Sequence, residues 1–171
     1  MSSTGCNPKW KEKVDVDYEQ YLREIYAPSV QLAREFEKTL GKKKTHEIIK
    51  NLYERETIRW VTEARGRDHI EDFQDFLAWI KKTYGSPYWS HILTYTLEEA
   101  LREYRFTCTE CLNAKVFRDL NAEDLGYIML CHTDFAATSA FHPKLRLERT
   151  KTLMQGDECC NFHCFWAEDE K

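Results

Sequence analysis

Residues 124–166 read DLGYIMLCHTDFAATSAFHPKLRLERTKTLMQGDECCNFHCFW, and their patterning sets the fold: one helix-like stretch, then two strand-like stretches meeting at Gln155-Gly156-Asp157. Placed at 100° per residue, Asp124, Tyr127, Cys131, Asp134 and Thr138 fall within about 80° of one another. Leu125, Met129, Ala136 and Ala140 lie on the other side, with Ile128 and Phe135 at the border. A phenol, a thiol and a carboxylate on one stripe of an otherwise apolar helix suit the wall of a small-molecule pocket. The same stripe also suits the solvated face of a surface helix, where Asp124 and Asp134 meet water. His132, next to Cys131, points about 100° away from it and reads as a core or interface histidine.

The two strand-like stretches, 145–153 and 159–166, alternate. In the first, Leu145, Leu147, Arg149, Lys151 and Leu153 share one face; Arg146, Glu148, Thr150 and Thr152 share the other. In the second, Cys160, Phe162, Cys164 and Trp166 form an apolar face opposite Cys159, Asn161, His163 and Phe165. Cys164 reads as packing, while Cys160 suits either the core or a site.

Upstream, residues 17–85 read as helical. Pro28 interrupts the apolar pattern of Tyr18, Leu22, Ile25, Leu32 and Phe36 and predicts two short helices. Gly41 and the lysines 42–44 read as a solvated turn, with Thr45 capping a helix that runs to about Arg65 on Ile48, Ile49, Leu52 and Val61. Asp68 and Glu71 have capping-box spacing; Phe73, Leu77, Ile80 and Tyr84 supply the next face, and Gly85-Ser86-Pro87 ends it. From His91 the alternation through Leu97 predicts a strand. Helices follow at 111–120 and 122–140, the second stopped by His142-Pro143. The pattern predicts an α+β fold: an antiparallel sheet packed against helices in two layers, with an N-terminal helical region.

A chain of 171 residues favours one domain with a substantial core: a flexible start (1–16), a helical region (17–85), an α+β core (86–166) and an acidic tail (167–171). A net charge of −4 leaves no basic surplus for nucleic acid or an anionic membrane. Neither a membrane span nor the apolar core of a signal peptide is visible, which predicts a cytoplasmic protein. Seven cysteines, an odd number, argue against a disulfide scaffold. Cys108-x-x-Cys111 lacks a second such pair, and Cys108 alternates with Phe106 as a buried strand residue would. Cys6 carries no message.

The blocks Leu125-Gly126-Tyr127, Cys131-x-x-Asp134, Phe141-x-Pro143, Arg149-Thr150-x-Thr152-Leu153-Met154-x-Gly156-Asp157 and Cys160-x-Phe162, with the Cys111 and Phe117 region upstream, resemble the L-2-amino-thiazoline-4-carboxylic acid hydrolase family in order and spacing. That resemblance places a hairpin or helical turn before a strand at 104–110. It implies hydrolytic opening of a small five-membered cyclic amidine-type ring. On that basis Cys131 is the expected nucleophile, with Asp134 orienting or deprotonating water and Tyr127 donating a hydrogen bond. Arg149 suits either a clamp for a substrate carboxylate or a solvated strand charge, with Thr150, Thr152 and Cys160 in the substrate site; His163, approaching from the last strand, is the preferred histidine there, although the family does not require one. The expected partner is a small-molecule substrate, in a monomer or a homo-oligomer. No cofactor is required.

The ending Gly156-Asp157-x-x-Cys160-x-Phe162 also resembles vinyl-reductase-type ligand-binding domains, which implies a small-molecule sensor without turnover. Zinc is then possible, held by Cys131, Asp134, Cys160 and His163. Taken alone, the N-terminal helices also suit an interaction module, which would have no small-molecule pocket.

Overall fold

Asp17 accepts a hydrogen bond from the backbone N–H of Gln20 and so starts helix α1 (Tyr18–Leu40). In the computed structural model residues 15–168 are described; most of the expected flexible start, Cys6 included, and of the acidic tail lies outside them. Pro28 sits inside α1 without breaking it, so one helix stands where two were expected. An interior proline forfeits a backbone hydrogen bond, and burial of Leu22, Val30 and Ala33 against α2 and α5 offsets that loss.

Gly41, at φ 80°, adopts a conformation that favours glycine and turns the chain directly into α2 (Lys42–Asp68). The three lysines are therefore its first turn. Thr45 is buried inside α2 and does not cap it; its hydroxyl has no partner among the described residues. Helix α2 buries Val61 and Ala64, but the α1–α2 pair leaves Leu32, Phe36, Leu40, Ile48 and Leu52 42–57% exposed around an apolar groove. Periodicity marked most of these as core positions; among the described residues no element covers that face.

Helix α3 (Phe73–Tyr84) begins with a capping box made by Asp72 and Asp75, four residues after the expected pair. Asp68 instead ends α2 and accepts from the Trp79 indole N–H at 3.2 Å. Helix α4 (Pro87–Ile92), with Pro87 at its first position, absorbs His91, so strand β1 runs Leu93–Glu99. Strand β2 (Glu103–Cys111) returns as a hairpin and leads into α5 (Leu112–Asp119). The long helix expected at 122–140 is three pieces: α6 (Glu123–Gly126), a π-helical turn (Tyr127–Cys131) and α7 (Thr133–Phe141).

Strand β3 (Leu145–Arg149) is shorter than its alternation suggested. The Asn161 side-chain carbonyl accepts from the N–H groups of Thr150 and Lys151, at 3.1 and 2.7 Å, and takes the chain out of the ladder. Thr152 then caps a short 3-10 turn, Leu153–Gln155, before β4 (Cys160–Trp166).

The sheet order is β1-β2-β4-β3, with every neighbouring pair antiparallel. Cys108 faces Cys160, Phe106 faces Phe162 and Tyr104 faces Cys164 across β2–β4. This face meets Val61, Phe76, Leu77, Ile80 and Phe141 from the helices in the main core. The other face carries Arg105, Glu148 and His163, linked to one another and to Glu103. The fold is therefore α+β, with helices over one face of a four-stranded sheet. Among the described residues no helix is long and apolar enough to cross a membrane.

Candidate functional site

The π turn organises the site. His132 donates its N–H to the Tyr127 carbonyl at 2.7 Å, five residues back, so one extra residue is accommodated. That rotates α7 by roughly 100° relative to a continuous helix. Asp124 is thereby separated from the rest of its stripe. It lies near the surface, paired with Arg34 at 2.8 Å and Lys42 at 2.5 Å. Just before the turn, Gly126 lies so close to its neighbours that a Cβ there would meet Met154 Sδ and Phe117 Cγ at 2.6 Å. His132 pairs with Glu54 of α2 at 2.8 Å, away from Cys131.

Arg149 ties this helix to the sheet. From β3 its Nη1 donates to Asp134 Oδ2 at 2.6 Å, and its Nη2 donates to the Cys131 carbonyl at 2.9 Å. The guanidinium lies 5.1 Å from the Phe135 ring centre and 5.0 Å from that of Phe162, with Tyr127 at 6.0 Å. Its side chain is only 2% exposed. Arg149 is thus spent on the protein's own carboxylate and carbonyl rather than held out as a clamp for a substrate.

Asp134 is enclosed by protein, and that burial raises its carboxyl to about 6 against the pull of Arg149. Yet the side chain keeps 35% of its surface accessible. The two facts agree because Asp134 lines a half-open cavity of about 220 Å³. Helices α2, α3 and α4 supply Trp60, Phe76, Trp79, Tyr84 and Trp89 to its wall; the sheet supplies Tyr104, Leu147 and Phe162. At a liquid share of roughly 30 Å³ per water, it has room for one small ring. Burial and the nearby Asp134 charge also push the Tyr84 hydroxyl up, so it stays a neutral donor.

Cys131 does not line this cavity. The Thr152 hydroxyl donates to its sulfur at 3.8 Å. Burial, followed by the neighbouring Asp134 charge, drives the Cys131 thiol up to about 12. Both effects work against an attacking thiolate in the resting protein. Cys160 shows the opposite behaviour. The opposed Cys108 thiol, the Leu153 N–H at 3.3 Å and Thr152 favour its charged form and hold it below the ordinary thiol range. It is nonetheless buried at 7% exposure.

The structure therefore brings Tyr127, Cys131, Asp134, Arg149, Thr152 and Cys160 into one seam, Thr152 and Cys160 buried and the others half-buried. It does not bring Thr150 or His163 there. Thr150 is exposed and bonded to Asn161. His163 sits on the uncovered sheet face, 2.9 Å from Glu103, because it alternates with Cys164. The mixed zinc set of Cys131, Asp134, Cys160 and His163 is split by the sheet. Among the described residues the cluster with metal-ligand reach is Glu37, His46 and Asp124, and Arg34 and Lys42 already occupy its carboxylates. The aromatic wall from the N-terminal helices was missed from sequence. Its only trace there is the run of aromatics from Trp60 to Trp89 on strongly apolar helix faces.

Comparison with known proteins adds three findings. The family described as L-2-amino-thiazoline-4-carboxylic acid hydrolase matches residues 20–164. No curated protein matches the chain. The fold is similar to the phenol-responsive sensory domain of the transcription activator PoxR, crystallised with phenol. That likeness has a TM-score of 0.51 and 12% identity over 91% of this chain and 77% of that one.

Proposed function

The chain belongs to the L-2-amino-thiazoline-4-carboxylic acid hydrolase family, and we propose that it hydrolyses a small cyclic amidine-type ring in the cavity beside Asp134. The observation that carries this reading is a carboxylate raised to about 6 in an aromatic cavity the size of one ring. A base with that affinity for protons is ionised at neutral pH yet basic enough to accept a proton from water. The ring carbon between two heteroatoms is electrophilic, most of all when the ring nitrogen is protonated. Water adds to that carbon, and its proton passes to Asp134. The ring C–N bond then breaks as the adduct hydroxyl becomes a carbonyl; the Asp134 carboxyl returns its proton to the departing nitrogen, and the hydroxyl proton also ends on that nitrogen, which leaves as an ammonium. The product is an open-chain carbamoyl compound, and one water is consumed.

Arg149 is a positioning residue in this scheme, fixing Asp134 Oδ2 from behind. Direct attack by water is preferred over attack by Cys131, whose thiol is pushed up to about 12 and whose sulfur lies outside the cavity wall. The test is to incubate the protein with 2-aminothiazolines and follow gain of one water by mass spectrometry. Asp134→Asn should abolish the gain while keeping native circular dichroism. Absence of any water addition, or full activity in Asp134→Asn, rejects the assignment.

A second reading, ligand binding without turnover, has one observation in its favour: Asp134 is already locked by Arg149. It predicts saturable binding of a ring compound with no product.

A further inference from the structure

The aromatic residues of the cavity, with Leu147, Val61, Ile80, Ala137 and a few threonines, surround a single carboxyl, and among the described residues the wall holds no lysine, arginine or histidine. Arg149, the nearest cation identified, lies behind Asp134 and is committed to it and to the Cys131 carbonyl. Two phenyl rings flank its guanidinium at 5.0 and 5.1 Å, so it is not free to swing forward.

From this geometry we infer that the ligand of the cavity is a planar, cationic ring that bears no carboxylate, an amidinium seated between aromatic faces with its charge towards Asp134. This inference rests on the reading of the cavity as a ring-binding site. Its consequence is a departure from the carboxylated substrate that the family description names. A carboxylate brought here would meet a like charge and aromatic faces, with no donor of positive charge to replace its water. A cation is favoured twice, by the ring faces and by Asp134. Planarity is that of the amidinium itself; the wall rings are held in place by one another, Trp60 edge-to-face on Trp79 at 5.8 Å and Phe76 tilted on Phe141 at 4.9 Å. Trp60 is 52% exposed, which places one end of the cavity at the surface.

The test compares two probes differing in one group: 2-amino-2-thiazoline, a cation at neutral pH, and its 4-carboxylate. Binding to the full chain is measured by calorimetry and by quenching of tryptophan emission, since Trp60, Trp79 and Trp89 line the site. Hydrolysis of both is followed separately by mass spectrometry. The expected result is at least tenfold tighter binding of the carboxylate-free ring, and loss of that preference in Asp134→Asn.

Equal or tighter binding of the carboxylate overturns the inference; if that compound is also hydrolysed, the hydrolase reading survives without it. Tight binding of the cation with no product from either probe leaves the inference standing and removes the hydrolase reading. If neither probe binds, both fall.

Discussion

Replacing Arg149 with methionine tests the link between helix and sheet, because methionine keeps most of the apolar stem and removes the charge. One guanidinium makes two hydrogen bonds here, to Asp134 at 2.6 Å and to the Cys131 carbonyl at 2.9 Å. Removing one partner of a buried ion pair costs about 3–5 kcal/mol, and an orphaned buried carbonyl costs about 1–3 kcal/mol. The two losses share one side chain and are not additive. Asp134 also keeps contact with the cavity, so a loss of about 4 kcal/mol is expected. With a urea slope of about 2 kcal/mol per molar, the unfolding midpoint falls by about 2 M.

The loss must depend on pH in one direction. Asp134 already has a folded-state affinity for protons above its unfolded value of 3.8, and deleting Arg149 raises it further. A carboxyl raised on folding contributes stability that is fully present below its unfolded value and lost as pH rises through its folded one. The variant therefore suffers less at pH 5 than at pH 8. Adding Asp134→Asn removes the uncompensated charge and recovers part of the loss at pH 8. Urea melts followed by circular dichroism at both pH values measure all of this. A loss below about 1 kcal/mol, or an equal loss at pH 5 and pH 8, refutes the argument.

Other predictions follow from single contacts. Gly126→Ala forces a Cβ to within 2.6 Å of Met154 Sδ and Phe117 Cγ, and thermal unfolding should show a loss of about 2 kcal/mol or more from overpacking. The turnover rate rises with pH around the value of about 6 held by Asp134 and is lost as pH falls below it; a rate independent of pH from 5 to 8 contradicts that base. Cys131→Ser should keep the rate within about threefold, and iodoacetamide at pH 7.5 should not single out Cys131, whose thiol is raised to about 12. Selective labelling there would restore the thiolate mechanism. Phe76→Ala, at a residue 2% exposed, enlarges the cavity and should cost about 3–5 kcal/mol in urea unfolding.

Much of the fold was legible because short-range patterns report it. Alternation in Leu145, Leu147 and Arg149 and in Cys160, Phe162 and Cys164 sorted the two faces of β3 and β4, which set Arg149 with Leu147, and His163 on the face opposite Cys164. What short range hid was backbone irregularity. The extra residue of the π turn is invisible to a fixed 100° repeat, so Asp124 was grouped with Asp134, from which the turn separates it. Pro28 and the capping box at Asp72 were misplaced for a related reason: packing, and not local preference, chose among several allowed starts and stops.

The sequence by itself determined the elements, the inward face of the sheet and the family motifs, because each depends on residues a few positions apart. Only the tertiary structure decided the site. The aromatic wall unites α2, α3 and α4 with α7 and three strands, joining residues as far apart as Trp60 and Phe162. The chemistry of Asp134 and Cys131 likewise follows from burial and from an arginine on a different element, and no local pattern encodes the dielectric around a side chain.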